Sequence, residues 1–285
     1  MYDRRRCNPC QLNERGGELK IFKWMLALLC AGTIGQASAA LVMIDPVTAK
    51  RIDSALHLPR SGADDDAGAR IAAVSAQFLG TPYQAQTLIG SAMTPEKLVV
   101  DLRTVDCFTY LDYVEALRKS SSYAGFVQNL VRTRYSDNQV SYFHRRHFFT
   151  DWAATQPANA YDVTRELSPH SLSVTKDLNR KADGSPFLPQ LGVTRRQITY
   201  IPSRYVDQAL LGRLRTGDYI GIYTPEQGLD VTHAGIFVAT EVGPMLRNAS
   251  LRVANMKVVD SPFLAYIKSV PGIVVLRPMP ATGKI

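Results

Sequence analysis

Cys107 is the residue whose type and position most readily do chemistry. Of four cysteines, Cys7, Cys10 and Cys30 fall in a leader-like first stretch, and Cys107 alone lies beyond it. A leftover thiol in an exported chain implies intermolecular pairing, an inert buried residue or a nucleophile. Cys107 opens a helical pattern in which Phe108, Leu111, Val114 and Leu117 recur every three residues, closed by Arg118 and Lys119. A helix start offers free N–H groups and the positive dipole end. The position therefore predicts a thiol pKa below the usual value of roughly 8.5. Asp106 reads as the N-cap, and its carboxylate beside the sulfur opposes that depression.

A thiolate nucleophile needs a base that later protonates the leaving group, and at neutral pH the natural choice is histidine. His57 lies in a polar lead-in, His144 and His147 in an aromatic stretch, and His170 in a Pro/Ser turn. His233 starts a predicted strand, which would hold its ring rigidly. Asn248, on the next predicted strand, can present an amide oxygen to orient that ring. Against these stand plainer readings: His233 as a structural histidine and Asn248 as a strand-end hydrogen bonder. His144 and His147, three apart, also suit two zinc ligands, but no third ligand has matching spacing. Cys7 and Cys10 make a single C-x-x-C pair without a second. No metal or cofactor is expected.

These residues need elements to hold them. Short helices are predicted at Val47–Leu56 and from Asp64, Asp65 and Asp66 onward, where Ile71, Val74, Phe78 and Leu79 give one apolar face before Gly80. Leu98–Val100 reads as a short strand or extended approach. Beyond Cys107's helix, another is predicted over Tyr123–Arg134. Residues 135–200 show no clean period and read as a long mixed insertion packed on the core. Strands follow at Tyr219–Tyr223, Thr232–Val238, Met245–Ser250 and Gly272–Leu276. Helices first and strands later predict an α+β domain with an antiparallel sheet.

Export is read from Lys20 and Lys23, an apolar run from Trp24 to Ala31, and Ala37-Ser38-Ala39, the form of a cleavable signal peptide. The apolar run is too short for a membrane span. The organisation expected is a leader over 1–39, a lead-in over 40–66 and one domain over 67–285, placed in the periplasm. The 285 residues carry 33 Lys+Arg against 25 Asp+Glu. Residues 40–285 hold 27 basic and 22 acidic side chains, a formal charge of +5. That mild balance suits a polyanionic envelope surface, and the absence of a dense basic stripe argues against nucleic acid. Hydrophobic residues make up 46% and charged residues 20%, which excludes wholesale disorder.

The ordered segments Leu79-Gly80-Thr81-Pro82-Tyr83, Asp106-Cys107, Gly217-Asp218, His233-Ala234-Gly235-Ile236-Phe237 and Asn248-Ala249-Ser250 resemble the NlpC-type papain-like cell-wall hydrolase superfamily. Within it they are most similar to the N-acetylmuramoyl-L-alanine amidase-like branch, as is Phe143-His144-Arg145-Arg146-His147-Phe148-Phe149-Thr150-Asp151-Trp152. The resemblance covers about residues 67–280. It implies a papain-like α+β core with the Cys helix packed on an antiparallel sheet, Cys107 as nucleophile, His233 as base and Asn248 as its orienting partner. The superfamily's third polar residue is often His, and its residue after the cysteine is usually small; Asn248 and Phe108 depart from that pattern. Tyr83, Asp106, Arg145 and Asp151 are the candidate substrate contacts. The implied reaction is hydrolysis of the N-acetylmuramoyl–L-alanine amide in peptidoglycan or muropeptides. A γ-D-glutamyl–diaminopimelate endopeptidase and a non-catalytic cell-wall binding module remain the alternatives.

Overall fold

The computed structural model describes residues 44–59 and 67–280. The expected leader with Cys7, Cys10 and Cys30, and the expected helix start at Asp64–Asp66, lie outside the described residues. Eight α-helices are described: α1 (Pro46–Leu56), α2 (Ala67–Ala76), α3 (Cys107–Arg118), α4 (Tyr123–Arg134), α5 (Asp151–Ala154), α6 (Thr164–Leu167), α7 (Gln208–Leu211) and α8 (Phe263–Ile267). Eight strands accompany them: β1 (Ala160–Asp162), β2 (Leu172–Leu178), β3 (Thr194–Pro202), β4 (Tyr219–Tyr223), β5 (Val231–Thr240), β6 (Gly243–Ser250), β7 (Lys257–Pro262) and β8 (Gly272–Pro278). They form one antiparallel sheet in the order β2-β3-β8-β4-β5-β6-β7, with β1 also on β8. The fold is mixed α+β.

Alternation along the strands sends side chains to two faces. Tyr219, Tyr223, Ala234, Ile236 and Val274 join the core built with α1 to α4. Ile220, Ile222, Phe237, Ile273 and Val275 join a second core with Leu167 of α6, Leu210 of α7 and Phe263 of α8. The sheet is thus covered on both sides.

The Cys-bearing helix starts where Asp106 caps it. Asp106 Oδ1 accepts from the Phe108 and Thr109 N–H groups at 3.0 and 2.7 Å, and its own N–H donates to Thr109 Oγ1 at 3.0 Å. This reciprocal pair is a capping box. The sequence pattern predicts one apolar face for α3, yet every residue from Thr109 to Arg118 is buried, charged ones included. The charges are tolerated because each is paired. Arg134 Nε donates to Asp112 at 2.7 Å and ties α4 to α3. Glu115 takes Arg118 Nε at 2.5 Å, Lys119 Nζ at 2.5 Å, and the Tyr219 hydroxyl of β4. Glu115 therefore fastens the Cys helix to the sheet.

Burial alone would raise the Glu115 carboxyl pKa, but the Arg118 and Lys119 charges outweigh it and hold it below the ordinary 4.5. A depressed folded-state pKa gives stability that is present above about pH 4.5 and lost as pH falls through the lowered value. Glu115→Ala leaves the Arg118 guanidinium buried without its carboxylate. Urea denaturation at pH 7 is expected to show a loss of about 3–5 kcal/mol.

Residues 135–200, read from the sequence as a long insertion, hold α5, α6, β1 and β2, and β3 begins in them. Trp152 of this stretch is fully buried and meets Tyr219 edge-on at 4.9 Å. The β2–β3 hairpin joins the sheet only through Ile201 and Pro202 against Ile273 and Gly272. It is an outlying wing of the sheet. Leu98–Val100 is an extended approach without strand pairing.

Candidate active site

Three motif segments build the scaffold of the site. Gly80 and Tyr83 donate backbone N–H bonds to Val258 and Met256, which stitches the first segment to β7 and the loop before it. Gly217 sits at φ +94°, and a Cβ there would lie 2.7 Å from Gly68 Cα, so only glycine lets α2 approach this turn. Asp218 accepts a bidentate pair from Arg277 at 2.8 and 2.9 Å. Gly235 lies across from Asn248, and a Cβ on it would meet Leu246 Cδ1, Arg247 O and Asn248 Cβ at 2.8 to 3.0 Å. The glycine two places after His233 is what lets β6 close on β5.

Cys107 and His233 line one pocket of about 160 Å³, with Phe108, His147, Phe148, Phe149, Asp230 and Ala234. The sheet supplies the histidine and the helix start supplies the thiol. His233 Nε2 lies 3.1 Å from Asn248 Oδ1. Asn248 Nδ2 donates to Leu246 O at 3.0 Å and to Ser261 Oγ at 3.3 Å. A carbonyl accepts only, so the bond to Leu246 O fixes which end of the amide carries the oxygen. Asn248 Oδ1 in turn requires a proton on His233 Nε2. In the neutral ring that leaves Nδ1 with a lone pair, and Nδ1 is buried with no hydrogen-bond partner among the described residues. Burial holds the His233 pKa below the ordinary 6.5, and the Arg252 charge lowers it further. The ring is neutral at neutral pH and able to accept a proton.

The thiol does not behave as the helix start alone predicts. Burial, seconded by the Asp106 carboxylate, pushes its pKa from an ordinary 9 up to about 12. The N–H groups of Ala234, Cys107 and Phe108 act the other way and do not win. Three pKa units correspond to about 4 kcal/mol against a free thiolate. The sulfur rests as a thiol.

The other predicted contacts divide. Tyr83 lies near enough for the charges of Cys107 and Asp106 to raise its phenol pKa, after burial. Asp106 spends Oδ1 on the cap. Arg145 does not face an unmet charge: it is ion-paired with Glu96, donating from Nε at 3.1 Å. Asp151 takes Arg196 at 2.5 Å and the Phe148 N–H at 2.9 Å. Both side chains brace the protein internally through these pairs. Of the other histidines, His57 is bonded to Asp53, and His170 stacks on Tyr205 at 4.2 Å. His147 reaches the pocket wall with Nε2 on Tyr142 O at 2.8 Å. His144 and His147 gain no third ligand: among the described residues no three His, Cys, Asp or Glu gather as a metal cluster.

In sequence Asp230 is weighed only as a further zinc ligand near His233, and two residues at the site, Tyr266 and Arg252, escape sequence reasoning. Asp230, wholly buried, accepts from Thr150 N and Oγ1 at 2.8 Å each and holds the pocket wall. Tyr266 of α8 stacks against His233 at 6.3 Å. Arg252, in the loop between β6 and β7, lies over the Tyr266 ring at 4.6 Å. A larger cleft of about 470 Å³, lined by Lys176, Arg180, Arg195 and Tyr223, holds neither the thiol nor the imidazole.

An α+β sheet protein that brings a half-buried thiol and an imidazole to one pocket, the imidazole held by an amide, has the parts of a nucleophilic site. The chain belongs to the AmiA-like, N-acetylmuramoyl-L-alanine amidase-like family, whose model matches residues 73–273. It is similar to the 1.07 Å crystal structure of an N-acetylmuramoyl-L-alanine amidase from Bacteroides uniformis ATCC 8492, with TM-score 0.62, 28% identity, and 75% of this chain and 99% of that chain covered. It also shares its fold with a Legionella pneumophila str. Philadelphia 1 protein, with TM-score 0.67, 22% identity, and 82% and 95% of the two chains covered. No curated protein matches it in sequence. Among the described residues no helix is long and apolar enough to cross a membrane.

Proposed function

We propose that the protein is a cysteine-dependent amide hydrolase of the papain-like, NlpC type. It cuts the bond between the N-acetylmuramoyl lactyl group and L-alanine in exported peptidoglycan metabolism, in the periplasm. The observation that carries this reading is the single pocket lined by Cys107 and His233, with His233 held by Asn248 through Nε2 and open at Nδ1. Membership of the amidase-like family supports the choice of bond.

The thiol proton passes to His233 Nδ1 as sulfur attacks the lactyl carbonyl. The new oxyanion takes hydrogen bonds from backbone N–H groups at the start of α3, Cys107's own among them. Collapse breaks the C–N bond, and the imidazolium gives its proton to the leaving amine. Water then attacks the thioester, loses its proton to His233, and releases the muramoyl acid and the thiol.

Incubation of the protein with a defined disaccharide tripeptide, followed by mass spectrometry, tests the reading. Free muramoyl sugar plus intact peptide beginning with L-alanine is the expected result. Release of free diaminopimelate, with L-alanyl-D-glutamate left on the muramoyl sugar, would instead assign the γ-D-glutamyl bond. Unchanged substrate would leave a binding module.

A further inference from the structure

We propose that Arg252 is a specificity-determining residue that pairs with a carboxylate on the leaving peptide, adjacent to the scissile amide. The inference rests on the amidase reading above. Three guanidiniums on neighbouring segments are spoken for: Arg145 by Glu96, Arg196 by Asp151 and Arg247 by Asp260. Arg252 is exposed and makes no ion pair among the described residues. Its fixed neighbour is Tyr266, whose ring carries the guanidinium at 4.6 Å and itself stacks on His233 at 6.3 Å. Thiol, imidazole, phenol ring and guanidinium therefore follow one another across the site, and the Tyr266 hydroxyl feels the charges of both Arg252 and Cys107.

The direction of that series gives the assignment its chemistry. His233 protonates the leaving amine, so the departing peptide lies against His233 and extends over the ring stacked upon it. On a muramoyl peptide the acyl side of the bond offers sugar hydroxyls. The amine side offers the α-carboxylate of the D-glutamate that follows L-alanine. The guanidinium over the ring also meets the Tyr266 hydroxyl, and its remaining N–H groups are left for a carboxylate partner. The loop that carries Arg252 is braced: its N–H reaches Ser250 Oγ at 3.3 Å, and its carbonyl accepts from Asn255 and Met256 at 2.8 and 3.0 Å. Met256 O in turn accepts from Tyr83 N at 2.9 Å, which ties the loop to the segment beside the thiol.

The test uses two muramoyl tripeptides that differ at one atom group, one carrying D-glutamate and the other D-isoglutamine, so that carboxylate is exchanged for carboxamide. The wild-type protein is expected to prefer the carboxylate by about tenfold in kcat/KM, expressed in KM. Arg252→Ala is expected to collapse that preference to near one, and Arg252→Lys to retain part of it. The preference is a ratio within one protein, so partial misfolding of a variant does not alter it. Equal kcat/KM of the wild type for the two substrates, or a preference unchanged in Arg252→Ala, overturns the assignment while leaving the amidase reading intact. Turnover of neither tripeptide by the wild type overturns both.

Discussion

Cys107→Ala is expected to lower kcat/KM on a muramoyl peptide by about 10⁴- to 10⁶-fold, the range seen when a covalent nucleophile is removed. The substitution deletes one sulfur from a half-buried position at the first turn of α3. The Asp106 cap, which fastens that turn, uses the N–H groups of Phe108 and Thr109 and survives. Thermal unfolding is expected to shift by only a few degrees. Loss of turnover without loss of fold isolates the sulfur as the nucleophile. Equal turnover of variant and wild type would remove the thioester route and return the pocket to a binding role.

The second expected effect concerns the base. His233→Gln is expected to cost about 10³- to 10⁴-fold in kcat, since proton transfer to and from the substrate is lost. Asn248→Ala keeps the imidazole but frees its tautomer, and a loss on the order of 10²-fold is expected, smaller than at His233. The pH profile carries the sign. His233 accepts a proton only when neutral, so kcat/KM rises with pH through its titration and is level above it. Burial, with Arg252 beside it, places that titration below the ordinary 6.5, so activity persists into mildly acidic solution. With the thiol pushed up to about 12, no falling limb near pH 8.5 arises from Cys107. Asn248→Asp moves the acid limb the other way, to higher pH, because a carboxylate favours the imidazolium. A rate profile measured from pH 4 to 9 on the wild type and Asn248→Asp checks these directions; an acid limb above 6.5 in the wild type would contradict the assigned environment.

Much of this site can be read in the residues before any coordinates. Asp106 before Cys107, the strand-forming run after His233, and the amide at Asn248 are local signals, and α3, α4, β4, β5, β6 and β8 all lie where periodicity puts them. What escaped is set by distance along the chain. The partners that Arg145 and Asp151 find, Glu96 and Arg196, stand 49 and 45 residues away and leave no local signal. Helices α5 to α8 have only four or five residues, too few to complete two turns of a pattern. Strand β7 carries Asp260 and Ser261, which serve Arg247 and Asn248, so its polarity hides its pairing with β6. The helix start is visible in sequence, whereas the desolvation that opposes it depends on Phe108, Phe149 and the sheet closing round the sulfur. For the same reason Tyr266 and Arg252, brought in by a short helix and a loop, carry no motif that would have flagged them.

The closed surroundings of Cys107 bear on its survival as well as its reactivity. Peroxides attack sulfur as the anion, and conversion to sulfenic acid scales with anion population and access. A sulfur that keeps its hydrogen offers oxidants little of the anion that they attack. With no second cysteine among the described residues to form a protective bridge, that reluctance to ionise leaves the Cys107 sulfur slow to oxidise.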